Sequence, residues 1–504
     1  MFIPPGRTGD HSILPYSATA PRGPGGGIGG SRELGQLRLD LVGAGSFAPI
    51  GKRLPWLGAA DRDGGRTVTD GEDTHVNRAA GLVAVAAGAA LVATTLPATA
   101  APHSPSGRDL GRETLGDNDG WASAEGGTTG GAEATEDNVV TVDTWARLKE
   151  AVRGDEPKIV RVEGHISAMT DADGGALSCS DFNDPEYDWD DYVAEYDPEH
   201  WDGRAEGPLE DARVRSYEEH REHVLLRPGS NTTIVGSGDA SISDGGVLLE
   251  SVDNVILRNL GIHDAYDCFP EWLGDEWDAQ YDNIEVSRSE HVWLDHLTLT
   301  DGDTPDSELD EVYGEQVDRH DGIMDIVRAS DLVTASWNSF EGHDKSMLWG
   351  NTDSEEYDEW DELRITLHHN DITNLSQRAP RVRYGQVHVY NNLYTHERHA
   401  DYPYLYSWGA GVESRIHAQN NYFHLADDIG AGEVIHSWGG TSLYEEGSVL
   451  NGRPTDLLAA YNEANPDNQL DSDVGWTPEH HETIHPTWAV PGLVHARAGA
   501  GGLG

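Results

Sequence analysis

Lysine is almost missing from this chain: the 504 residues contain only Lys52, Lys149, Lys158 and Lys345. Lysine and arginine together number 34 against 89 aspartates and glutamates, for a formal net charge of -55. A surface this acidic excludes nucleic acid as a partner, because binding it requires a basic stripe that is absent here. An acidic excess spread along the whole chain, with arginine kept and lysine lost, points to adaptation to high salt, where screening removes the self-repulsion. Acidic runs such as "DPEYDWDDYVAEYDPEH" then read as solvated surface. Cysteine is scarce too: Cys179 and Cys268 allow at most one disulfide, and spacing alone does not say whether they meet. Hydrophobic residues still make up 37% of the chain, enough for a core, which excludes a wholly disordered acidic protein.

A long apolar membrane span is also lacking. The stretch from Asn77, "NRAAGLVAVAAGAALVATTLPATAAP", is Ala-rich and short for a span. One arginine, an apolar run and small residues before a cleavage-like A-x-A give it the form of a secretory signal at 78–102, displaced from the extreme N-terminus. Residues 1–77 then lie upstream of a later translation start, at Val68 or Val76, or form a disordered extension. Residues 103–137 are rich in Gly, Ser and acids and read as a linker. Regular patterning begins at 138 and runs to 502, and the expectation is a secreted, monomeric protein with no stable membrane partner.

Within that domain, short β-branched runs recur, each followed by Asn or His. Ile234, Ile256, Trp293, Val333, Ile365, Val389 and Ile416 mark equivalent points. A near-constant minimum spacing with insertions is what a solenoid with loops on one side produces. The repeated Asn fits corners that need left-handed backbone and bonds between coils. An antiparallel sandwich is the rival, but two-residue hairpin turns are scarce. The reading is all-β: a right-handed parallel β-helix with loop insertions.

Chemistry concentrates in three places. Asp321 and Asp325 in "RHDGIMDIVRASD" are four apart, so both project from one face of an extended strand. Carboxylates gathered there need a cation or a proton, and oxygen-only donors favour calcium. Lys345 is the single lysine of the ladder. "SQRAPRVRYG" packs Arg378, Arg381 and Arg383 into six positions of a chain that otherwise avoids basic residues. Arginine suits bidentate recognition of carboxylates, so the cluster points to an anionic ligand, a polycarboxylate.

The pieces "VWLDH", "HDGIMDI", "SWNSFEGHDKSMLWG" and "QRAPRVRYGQVHVYNN", in that order, resemble the family 1 pectate lyases. So do "TVDTWARLKEAV" at 141 and the C-terminal "VGWTPEHHETIHPTW". The resemblance implies Ca2+ ligands at Asp278, Asp321 and Asp325, and a catalytic base at Arg378. It also implies that Lys345 and Arg383 bind substrate carboxylates and assist catalysis. The implied reaction is β-elimination on the polysaccharide polygalacturonate (pectate). An arginine yields its proton only at high pH, so an arginine base predicts an alkaline optimum. Arg381 matches no assigned role and is expected to pair with a surface carboxylate. Trp349 and Tyr384, with Tyr404 and Trp408, are candidates for stacking on sugar rings. "DGDTPDSELDE" from Asp301 reads as a solvated insertion, because it lacks the glycine and spacing of an EF-hand loop. Pectin lyases, without the calcium carboxylates, and a non-catalytic polysaccharide-binding β-helix are the alternatives. The faint echoes of polygalacturonase motifs at 351 and 427 have the wrong spacing.

Overall fold

Each turn of the chain lays down one strand in an eight-stranded sheet and two in an eighteen-stranded sheet, and nearly every pairing is parallel. The computed structural model describes residues 109–354 and 362–503, so the expected upstream segment and the signal sequence at 78–102 lie outside the described residues. One turn runs through strands Asp325–Val327, Asp331–Ser336 and Ser339–Lys345 before Leu348–Trp349 starts the next. The architecture is the right-handed parallel β-helix that the sequence predicts.

The true rung joins Thr232, Val255, Val292, Val333, Ile365, Val387 and Ile416. Four of the seven points chosen from the sequence (Ile234, Ile256, Trp293 and Val389) sit one or two residues away, because apolar residues flank the rung on both sides and spacing cannot choose among them. Val255, Val292, Val333, Ile365, Val387 and Ile416 are fully buried, as are Leu257, Leu294, Ala335, Leu367, Val389 and Ala418 two residues on. This is the period-two pattern of a strand with one face inward. Each larger aliphatic side chain buried this way contributes about 1.5–3 kcal/mol.

The corners are held by asparagine. Asn338, Asn370, Asn392 and Asn421 are fully buried and stacked. The side-chain oxygens of Asn370, Asn392 and Asn421 each accept the backbone N–H of the ladder residue one coil before, at 2.8, 3.0 and 2.9 Å. The left-handed conformation expected of these asparagines belongs instead to the residue before each, Trp337, His369, Asn391 and Asn420. The kink therefore frees the next side chain to bond between coils.

Residues 109–137 are not a loose linker. Ala122, Ala124 and Ala134 are buried, and the segment lies along the outside of the large sheet. The N–H groups of Gly131, Ala122 and Trp121 donate to the hydroxyls of Thr233, Thr334 and Thr366, at 2.8, 3.0 and 3.0 Å. A side chain at Gly120 or Gly131 would collide with the sheet, so the glycines that look like linker composition are there for close approach. At the N-terminal end of the coil the short helix Trp145–Ala151 buries Trp145 and Leu148 in the core.

A satellite lobe grows from one side. Its helices Trp189–Glu195 and Pro208–Val224 pack Tyr187, Tyr192, Tyr196, Phe269, Trp272 and Trp277 together. Cys179 and Cys268 are bridged and tie two segments of the lobe together. Among the described residues no helix is long and apolar enough to cross a membrane.

Candidate active site

Val382 points into the core of the eight-stranded sheet, so its neighbours Arg381 and Arg383 point out. The outward row beside Val382 runs Leu348, Arg381, Gly409, His436 from coil to coil, and Asp325 stands one coil earlier, beside Ile326. Coil spacing of about 4.8 Å puts Arg381 roughly 10 Å from Asp325 along this row. Arg378 precedes the strand with a left-handed backbone (φ 57°), which turns its side chain out of the sheet; the cost of such a conformation is on the order of 1 kcal/mol. It is half-buried, and its buried Nε has no hydrogen-bond partner.

The carboxylate cluster consists of Asp282, Asp321 and Asp325. Gly322 donates its N–H to Asp282 at 2.7 Å, and a Cβ at 322 would stand 2.5 and 2.8 Å from oxygens of Asp282 and Asp325. Burial, with Asp321 beside it, pushes Asp325 up to about 8; Arg378 and a hydrogen bond from Leu348 N–H at 2.8 Å pull the other way. Burial, then Asp325 and Asp321, raise Asp282 well above the usual carboxylate range. Asp278, expected in this group, stands instead in the two-residue hairpin opposite Glu271, and its charge acts on Lys345. The carboxylate beside Asp321 and Asp325 is Asp282, four positions beyond Asp278 in the same stretch. Both aspartates share a parity, and only the coil register shows that Asp282 lies level with Gly322, within the loop of the next coil that carries Asp321.

Lys345 is bound to Asp318, with Asp321 at 3.6 Å. Burial would lower its pKa, but Asp318, Asp321 and Asp278 outweigh that and raise it. Arg383 donates to Asp353 at 2.6 Å and to the carbonyl of Gly350 at 3.0 Å. Arg381 does not pair with a surface carboxylate: it is 7% exposed and lies 4.4 Å from the centre of the Trp438 ring. Trp349 and Trp408 are fully buried core residues, and the Tyr384 hydroxyl donates to the carbonyl of Asp353. Tyr404 bonds Ser407 and packs against the core. These four aromatics support the wall from behind and do not form its surface.

Most of the insertion from Asp301 is solvent-exposed, as expected, but two of its acids turn inward. Asp301 and Asp306 are buried and hold two histidines behind the carboxylates. His320 sits between Asp306 at 2.7 Å and Asp264 at 2.9 Å, and both ring nitrogens face acceptors. It is therefore an imidazolium; burial opposes the charge, but the two carboxylates lift its pKa to about 10. His343 is bound by Asp301 and lies 3.0 Å from the backbone oxygen of Asp321, so it too donates from both nitrogens. Tyr402 closes the network by donating to Asp301 at 2.9 Å and accepting the N–H of Asp306 at 2.7 Å. The loop carrying Asp321 is thus held by buried charge. Sequence reading missed these residues, since an acidic insertion in an acidic protein carries no mark of burial.

A parallel β-helix whose outer sheet face sets arginines beside clustered carboxylates defines a polysaccharide-cleaving enzyme of the lyase type. A pectate lyase family model matches residues 111–180 and 215–467, and the chain belongs to that family. The pectate lyase of Bacillus subtilis is 41% identical over 424 residues, 82% of this chain and 99% of that protein. Pectate lyase E of Dickeya dadantii is 33% identical over 380 residues, 73% of this chain and 84% of its own length. Among solved structures, a thermostable pectate lyase superposes with a TM-score of 0.77 at 44% identity, covering 79% of this chain and all of that one. A pectate lyase bound to a hexasaccharide gives 0.74 at 41%, covering 78% of this chain and all of the other.

Proposed function

We propose that the chain is a secreted, salt-adapted, calcium-dependent pectate lyase that cleaves α-1,4-linked polygalacturonate by β-elimination. The observation that carries this reading is the pairing of two opposites on one groove. Among the described residues Arg378 and Arg381 form no ion pair, in a chain of net charge -55, and they stand beside carboxylates that burial and mutual repulsion leave in want of a cation. The set Asp282, Asp321 and Asp325 offers only oxygen, which suits calcium and not the softer metals. Bound there, calcium would supply a Lewis acid for a substrate carboxylate.

Arg378 takes the proton from C5 of the uronosyl unit, α to its carboxylate. Lys345 adds positive charge on the side of Asp321, and Arg383, fixed by Asp353, walls the groove. Charge that develops as the proton leaves is met by fixed cations that need not reorganise. The C4–oxygen bond then breaks, the departing oxygen takes a proton from water, and a 4,5-unsaturated uronate is left at the new chain end. At high salt the Debye length is only ~3 Å at 1 M, so the distant acidic surface repels the substrate little while contacts in the groove persist.

Absorbance near ~232 nm on polygalacturonate at high salt, with calcium and then with excess chelator, tests the reading, because only elimination makes the absorbing product and chelation removes the Lewis acid. A rise abolished by chelator is expected. No rise from folded protein would return the chain to a binding role.

A further inference from the structure

Of the arginines with buried side chains, Arg213 is paired with Glu210, Arg258 with Asp295 and Glu113, and Arg383 with Asp353. Arg381 is the exception among the described residues: its side chain makes no hydrogen bond or ion pair, and its Nε is buried without a partner. Taking a charge out of water without compensation is unfavourable, and 89 acids were available to relieve it. The surroundings are shaped to keep it so. Gly409, the next residue along the row, leaves room for the side chain to cross its coil: a Cβ there would come within 3.0 Å of Arg381 Cβ and Cγ and of Tyr406. Gly411 leaves the same room for Arg383, whose Cγ would stand 2.9 Å away. Beyond the bare glycine the Arg381 guanidinium meets the half-exposed ring of Trp438, with His436 at 4.7 Å from that ring and Tyr406 stacked on His436 at 5.3 Å. A guanidinium resting against an indole suits a planar, bidentate anion, and an aromatic ledge beside it suits the apolar face of a sugar ring.

We infer that Arg381, laid over Gly409 onto Trp438, is a binding subsite for the carboxylate of a uronosyl unit of the polymer removed from the bond being cleaved, with the His436–Trp438 ledge under its ring. The inference rests on the proposed polygalacturonate reading and adds the direction of the chain, along the outward row from Asp325 toward His436. Arg381 acts in binding and selects against esterified units, since a methyl ester offers no charge to pair.

The test is steady-state kinetics of Arg381→Gln and Trp438→Ala on polygalacturonate and on half-methyl-esterified pectin, with calcium at high salt, after checking by circular dichroism that both are folded. For Arg381→Gln we expect KM on polygalacturonate to rise about tenfold with a much smaller change in kcat, a penalty corresponding to about 1.4 kcal/mol. The penalty shrinks on the esterified polymer. Trp438→Ala raises KM on both polymers alike, because ring contact does not read the ester. An unchanged KM in Arg381→Gln, or an equal loss on the two polymers, overturns the subsite while leaving the lyase reading intact. Wild-type protein that eliminates neither polymer overturns both.

Discussion

Replacing Arg381 with methionine should make the protein more stable. Burial, with Arg383 beside it, pushes the Arg381 guanidinium down from its ordinary 12.5 to about 10. At 1.36 kcal/mol per unit, the charged form costs the folded state about 3 kcal/mol at neutral pH. The loss of the contact with Trp438 returns about 1 kcal/mol of this. Methionine is close in length and flexible enough to lie over Gly409, so the net expectation is a gain of about 2 kcal/mol. The sign follows from linkage: a cation whose folded pKa lies below its unfolded one carries a penalty that is complete below pH 10 and disappears only above 12.5. The gain should therefore be the same at pH 7 and pH 9. Thermal and urea unfolding of wild type and variant, without substrate, measure it. A variant less stable than wild type would mean that Arg381 is compensated in the folded protein, and the case for a vacant anion subsite would fail with it.

Asp282→Asn should weaken calcium binding, followed by calorimetry, by at least tenfold, whereas Asp278→Asn should change it far less; the reverse order would restore Asp278 to the ligand set. Asn370→Ala strips partners from the N–H of Asn338 and from the carbonyl of Ala335, and at about 1–3 kcal/mol per orphaned buried group should cost about 2–6 kcal/mol in denaturant titration. A loss below 1 kcal/mol would show that the corner relaxes without its ladder. Burial holds His417 at about 4, below the ~6.5 of an unfolded histidine, so the stability tied to its neutral form is complete above pH 6.5 and lost as pH falls toward 4. His417→Phe, keeping the stack on Tyr444, should therefore lose about 1–2 kcal/mol less than wild type between pH 8 and 5, and parallel pH profiles would refute the assignment.

Most of the fold was legible because a coil repeats its physics: β-branched strands and corner asparagines return on every turn. Arg378, Lys345 and Arg383 stood out because a chain that shuns basic residues kept them there. Three things were hidden for specific reasons. Asp282 and Asp278 sit four apart in one stretch, and the choice between them depends on the register of the next coil. Asp301 and Asp306 look like any other acids of this surface until His343 and His320 are seen against them. Trp349 and Tyr384 lie in the most distinctive motifs, yet their neighbours carry the outward face, so conspicuous position in sequence misled about exposure.

The segment 109–135 sets a timetable for the molecule. It leaves the ribosome before any coil exists, yet Trp121 finds its partner in Thr366, 245 residues later, and Ala122 in Thr334. Until those coils are wound, the first-made part of the described chain has nothing to lie on. Its docking therefore requires the coils that carry Thr334 and Thr366 to be in place first. Until it closes, the hydroxyls of Thr233, Thr334 and Thr366 on the outer face of the large sheet stay uncovered.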